Sequence, residues 1–333
     1  LTNWELMAVG GAYGLSLNSA CVKTDGTLWT WGRNNDGCLG QGNLTQYSSP
    51  VQVGALTTWS KIANGAGRHM LAVKTDGTYW AWGRGYGGAL GQGNTTSYSS
   101  PVQVGALTNW LDVSASYSLS LALKTDGTIW AMGSNNSGQL GDGTTANKSS
   151  PVQIGALTTW SAISAGGWWA VALKTDGTIW GWGAGNDGCL AQGNTTNYSS
   201  PVQVGALTTW SAVAGGDSGY GINGNCVALK TDNTMWSWGA NNEGQLGQGD
   251  KVNTSSPVQM GALTDWSKIS VAYRGGQAIK TDGTLWAWGW NGDGQLGQGT
   301  VSDTSSPVQV GALTTWIILP PGNNGRQRMS IQS

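Results

Sequence analysis

The sequence predicts an all-β propeller of four-stranded blades, each about 50 residues long, on three observations. Leu-Thr-x-Trp recurs at Leu1, Leu56, Leu107, Leu157, Leu207, Leu263 and Leu313. Lys-Thr-Asp recurs at Lys23, Lys74, Lys124, Lys174, Lys230 and Lys280, and Ser-Ser-Pro-Val-Gln closes each unit. Composition agrees: 55 glycines, 21 tryptophans and no phenylalanine are the bias left by copying one pattern many times. A four-stranded sheet of this length cannot bury both faces alone, so neighbours must stack on it.

The units are 1–55, 56–106, 107–156, 157–206, 207–262 and 263–312, with the opening of a seventh at 313–319. They form one propeller domain, 1–319, of six full repeats plus a partial seventh, which leaves six or seven blades open. Within a unit, Leu-Thr-x-Trp opens the first strand. Asp-Gly at 25–26, 76–77, 126–127, 176–177 and 282–283 lies between apolar alternations and predicts a tight hairpin, because glycine accepts the positive φ of such a turn. Asp232-Asn233 tolerates the same geometry. The Trp-x-Trp pairs, such as Trp180/Trp182, share one face of a strand and are expected to fill the space between blades. Proline opens the last strand, where its missing N–H is tolerated at an edge.

At this point the units resemble the regulator-of-chromosome-condensation repeat family; Ala278 to Gly299, AIKTDGTLWAWGWNGDGQLGQG, carries the resemblance in one stretch. It implies a circular β-propeller, usually of seven blades. Such regular copies also look like those in surface and virion proteins of bacteria and their phages, which implies an extracellular or virion location.

Charge and motifs argue against several classes. With a net charge of −1 and 10% charged residues there is no basic surface for nucleic acid, and no apolar run is long enough to span a membrane. Leu1-Thr2-Asn3-Trp4 shows no signal-peptide pattern and no initiator methionine, as in a chain that starts partway through a longer product. Cys21, Cys38, Cys189 and Cys226 have no metal or redox spacing and are expected as free thiols. His69 is the sole histidine, six of the seventeen acids belong to hairpins, and no nucleophile elbow or phosphate loop occurs. Neither catalysis, nor a cofactor, nor a metal is expected.

The informative contrast is internal. Between the first Trp and the Lys of each unit, length and identity change while the flanks stay fixed. These segments hold Tyr13, Arg68, His69, Tyr117, Trp168, Trp169, Tyr220, Tyr273 and Arg274 among Gly, Ser and Asn, the composition of a paratope. They are the expected ligand-binding residues of a non-enzymatic interaction module, a surface or virion component recognising a cell-surface glycan or protein. The alternatives, implied by the resemblance, are a guanine-nucleotide exchange regulator of a small GTPase and a propeller-type enzyme inhibitor. Residues 320–333, with Pro320-Pro321, Arg326 and Arg328, are expected to form a linker or to dock a neighbouring structural subunit.

Overall fold

The computed structural model describes residues 3–10, 17–66, 68–216, 224–272, 274–319 and 331–332. Six four-stranded antiparallel sheets follow one another along the chain. The first comprises β1 (Trp4–Gly10), β2 (Asn18–Lys23), β3 (Leu28–Gly32) and β4 (Tyr47–Gln52), and the second β5 (Trp59–Gly65), β6 (His69–Lys74), β7 (Tyr79–Gly83) and β8 (Tyr98–Gln103). The third is β9 (Trp110–Ser116), β10 (Leu119–Lys124), β11 (Ile129–Gly133) and β12 (Lys148–Gln153); the fourth is β13 (Trp160–Ala165), β14 (Trp169–Lys174), β15 (Ile179–Gly183) and β16 (Tyr198–Gln203). The fifth runs from β17 (Trp210–Gly216) through β18 (Asn225–Lys230) and β19 (Met235–Gly239) to β20 (Thr254–Gln259), and the sixth from β21 (Trp266–Ala272) through β22 (Gly275–Lys280) and β23 (Leu285–Gly289) to β24 (Thr304–Gln309).

The first strands of all six blades line an axial cavity of about 310 Å³. Second strands such as β10 are buried along their whole length, which is why Leu-Ala-Leu-Lys carries no polar alternation. Fourth strands form the half-exposed rim, and their prolines sit on that edge.

The hairpins form as expected. In the third blade Asp126 Oδ1 accepts from Thr128 N at 3.0 Å and Thr128 Oγ1 at 2.6 Å, and Trp130 Nε1 donates to Thr128 Oγ1 at 3.0 Å. Gly127 has φ +74°, and a Cβ there would stand 2.2 Å from Thr158 O of the next blade. Its carbonyl accepts from Trp160 N at 3.1 Å, so the turn that closes one blade also seats the next. Lys124 Nζ lies 3.9 Å from the Trp130 ring centroid, a cation–π contact repeated in every blade.

Blades are joined by the second tryptophan of each Trp-x-Trp pair. Trp82 Nε1 donates to Cys38 O (2.9 Å), Trp182 to Gln139 O (3.0 Å), Trp238 to Cys189 O (2.9 Å) and Trp288 to Gln245 O (2.9 Å), each reaching the preceding blade. All four rings are fully buried, whereas the first tryptophans of the pairs, such as Trp180, are half-buried at the edge. The third blade has Met132 there, whose sulfur accepts from Tyr79 OH at 3.8 Å.

Where a seventh blade is expected to open, at 313–319, the described residues show β25 (Trp316–Ile318) paired only with β26 (Ile331–Gln332); no seventh four-stranded sheet is present among them. The propeller therefore has six complete blades. β25 docks as the other first strands do, with Trp316 N donating to Gly283 O at 3.2 Å. At this junction no indole seals the seam among the described residues: Trp31 is half-buried, and Gly297 is exposed where Gly40, Gly141 and Gly247 lie under a ring. Of the tail, residues 320–330 and 333 lie outside the described residues, and 331–332 pair with β25. The four cysteines are free and buried.

The glycine under each seam tryptophan has positive φ, and at Gly141 an added Cβ would meet Trp182 Nε1 at 2.7 Å. The fourth blade departs from this rule with Ala191, held at φ +55°. A left-handed alanine costs on the order of 1 kcal/mol. Ala191→Gly should therefore stabilise the protein by roughly that amount, read as a higher denaturant midpoint at constant slope; an unchanged or lower midpoint would contradict the seam geometry.

Candidate functional site

Antiparallel strand order puts the Lys-Thr-Asp hairpins at one end of the blades. The variable first-to-second-strand connections and the third-to-fourth-strand loops lie at the other. At that end Arg68, Arg84, Tyr86, Tyr117, Asn136 and Trp168 are among the residues lining a cleft of about 330 Å³ across the second, third and fourth blades. Its size is that of a small ligand site.

Two arginines define its chemistry. Arg84 N donates to Arg68 O at 2.9 Å, so both side chains leave from paired backbone positions. The Arg68 guanidinium lies 4.8 Å from the Tyr117 ring centroid and that of Arg84 5.3 Å from Tyr86, stacking contacts that orient each fork. Neither belongs to an ion pair among the described residues. Ser118, Ser134, Ser137, Asn136 and Gln139 add hydroxyls and amides, and half-buried Trp168 supplies an apolar surface.

The expected site residues divide. Arg68, Tyr117 and Trp168 meet in the cleft. Trp169 is corrected to a seam residue: it is the first position of β14 and 1% exposed, whereas Trp168 lies in the connection before it and is half-buried. It fits because the fifth blade gives way, since a Cβ at Gly215 would lie 2.8 Å from its ring and one at Gly224 2.3 Å. Leu119, the third blade's counterpart, packs with Ala165 instead.

His69 is corrected likewise, being 1% exposed between the second and third blades. Its Nε2 lies 2.9 Å from Ser120 Oγ, whose own hydrogen goes to Ala89 O at 2.7 Å. Ser120 must therefore accept, Nε2 must carry the hydrogen, and buried Nδ1 has no partner. Arg274 stands apart from the cleft, paired with Glu243 Oε1 at 3.1 Å. Tyr13, Tyr220 and Tyr273 lie outside the described residues.

Sequence reasoning missed Arg84 and Tyr86 because the third-to-fourth-strand loop reads as scaffold. The signal was present: Arg84 stands where the next three blades have Ser134, Ala184 and Ala240, and Tyr86 where asparagine is usual.

The axial cavity is a poorer candidate. It holds one carboxylate, Asp112, raised by burial and partly offset by Lys61. Its Ser114 and Ser164 accept from Ala165 N (2.9 Å) and Gly215 N (3.0 Å) and so serve the seams. No group of three or more metal-ligating side chains occurs among the described residues, and no helix there is long and apolar enough to cross a membrane.

Tandem four-stranded blades around an axial cavity, with unequal connections gathered at one end, define a circular repeat β-propeller. Residues 8–319 match the RCC1-like domain, and the chain belongs to that family. Among curated relatives, the Danio rerio Protein RCC2 homolog is 39% identical over 80 residues, 24% of this chain and 16% of that protein. Mus musculus Protein RCC2 is 37% identical over 89 residues, 26% of this chain and 17% of that protein. This chain thus matches about a sixth of those relatives' length. Among solved structures, human WBSCR16 superposes with a TM-score of 0.85 at 19% identity, covering 100% of this chain and 87% of that one. Saccharomyces cerevisiae Prp20p does so with 0.81 at 17% identity, covering 98% and 82%. These two likenesses establish the fold alone.

Burial holds the His69 imidazole down to about 4. The unfolded chain, with a value near 6.5, then binds more protons between about pH 4 and 6.5. Stability is fully present above that window and is lost as pH falls through it. His69→Asn, the residue at the corresponding Asn18 and Asn225, should flatten the decline by about 3 kcal/mol across the window in denaturant titrations. Parallel pH profiles for the two proteins would contradict the buried neutral imidazole.

Proposed function

We propose that this protein is a non-enzymatic interaction module that docks a protein partner on the face carrying the variable connections. The observation that carries this is the cleft itself. Two stacked arginines without acidic partners, a half-buried tryptophan and a ring of small hydroxyl and amide side chains have the composition of binding hot spots. The residues that would be needed for catalysis are taken by the scaffold, His69 by a seam and the recurring aspartates by hairpins.

Fold likeness points to the first partners to try. Prp20p is described by its binding to Gsp1p and to histones, so a small GTPase or a histone is a reasonable probe here, and exchange regulation is the narrower version of this reading. The relatives named above give no support to the virion, phage or adhesion expectation, and a protein partner is preferred to a glycan for that reason.

A photo-crosslinking residue at position 117, in the cleft, and another at position 107, at the hairpin end, test the reading in extract of the source cells. A discrete protein adduct is expected from 117 alone, and excess unlabelled protein should compete it away while a Trp168→Ser variant should not. Adducts only from 107, or competition by the variant as strong as by wild type, would contradict it.

A further inference from the structure

The cleft has a charge arrangement that the other blades lack. The paired backbone positions that carry Arg68 and Arg84 carry Leu17 and Arg33, Ser118 and Ser134, Trp168 and Ala184, Gly224 and Ala240, and Arg274 and Trp290 elsewhere. Only the second blade has a cation at both. Two like charges leaving adjacent strands repel one another, and a carboxylate between them would normally relieve this.

No carboxylate is among the residues lining the cleft. The residue before the loop glycine is Asp36, Asp187, Glu243 or Asp293 in four blades, but Gly87 and Ser137 in the two blades whose loops form this cleft. Gly87 is fixed by packing: its φ is +67°, and a Cβ would meet Ser134 Oγ at 2.3 Å. Arg274 is neutralised by Glu243 of the preceding blade, bonded to its guanidinium at 3.1 Å, whereas Asp36, the corresponding residue of the blade before Arg68, forms no ion pair with either cleft arginine. The cleft arginines are instead held over Tyr117 and Tyr86, with their forks free to meet an anion.

We infer that the cleft binds an acidic peptide segment of the partner, with an Asp or Glu carboxylate between Arg68 and Arg84 and a neighbouring aromatic or long apolar side chain against Trp168. This deepens the reading above and rests on it. A peptide is favoured over nucleic acid because the net charge is −1 and the two arginines are not continued by a basic track. Trp168 and the serine and asparagine side chains favour a peptide over a bare inorganic anion, since they offer apolar and amide-matching surface that an anion does not use.

Selection of a random heptapeptide library on the full chain tests this. Three variants and one added condition serve as comparisons: Arg68→Ser with Arg84→Ser, which copies Ser118 and Ser134 of the third blade; Ser137→Asp, which copies Asp187; Trp168→Ser; and wild type with excess inorganic phosphate. The expected result is enrichment of sequences that join an acid to an aromatic or long apolar residue. Their binding should weaken about tenfold or more in the double arginine variant and in Ser137→Asp, and in Trp168→Ser as well. Enriched sequences that are neutral or basic, yet lost in Trp168→Ser, would overturn the acidic preference and leave the docking face standing. Binding abolished by phosphate alone and unaffected by Trp168→Ser would show a simple anion site and overturn the peptide. No enrichment, or sequences indifferent to every variant, would overturn both.

Discussion

The fold depends on one interaction, repeated at four of the seams: a buried indole N–H that reaches the carbonyl of the preceding blade over a residue with positive φ, a glycine in three of them and Ala191 in the other. A single four-stranded sheet of this sequence would leave two apolar faces in water. The tryptophan fills the gap between two sheets, and its one polar atom is satisfied across that gap, so the contact is specific as well as apolar. Where tryptophan is absent, the third blade substitutes Met132 and the neighbouring unit supplies Tyr79 as its partner. Packing across the seam is thus compensated in pairs, as Trp169 and Gly215 also show.

Because the seams and hairpins carry the stability, the variable connections are free to differ. Charge is spread thinly and most cations are committed to scaffold: the Lys-Thr-Asp lysines lie over tryptophan rings, and Arg274 is paired. Arg68 and Arg84 stand out against this background because their stacking on tyrosines orients them without neutralising them. A cation with no acidic partner, held in place at the mouth of a cleft, is a feature that stability alone does not require.

The scaffold was readable because each rule repeats. Asp-Gly between apolar alternations forms a hairpin in every blade that has it, and Asn233 adopts φ +61° as its type allows. The site was only partly readable, for physical reasons. Variability marks both a binding rim and a seam whose volumes are matched in pairs, so Trp169 and His69 looked like Trp168 and Arg68. Period-two alternation separates Trp168 from Trp169, but sequence alone does not say which side faces the next blade. Arg84 and Tyr86 lie in a loop that reads as constant, and they come to Arg68 and Tyr117 only through cross-strand pairing and the juxtaposition of blades. Blade number stayed open between six and seven because Leu-Thr-Thr-Trp is sufficient for a docking strand, and among the described residues only β26 joins β25.

Scaffold and recognition surface divide between neighbouring side chains of one strand end. Thermal unfolding of Trp168→Ser and Trp169→Ser, measured side by side, tests it most directly. Trp169→Ser should lower Tm by many degrees, since removing a fully buried indole from a close-packed seam costs about 3–5 kcal/mol. Trp168→Ser should remain within about 2 °C of wild type, as expected for a substitution outside the packed core. Equal losses, or a larger loss for Trp168→Ser, would contradict the division.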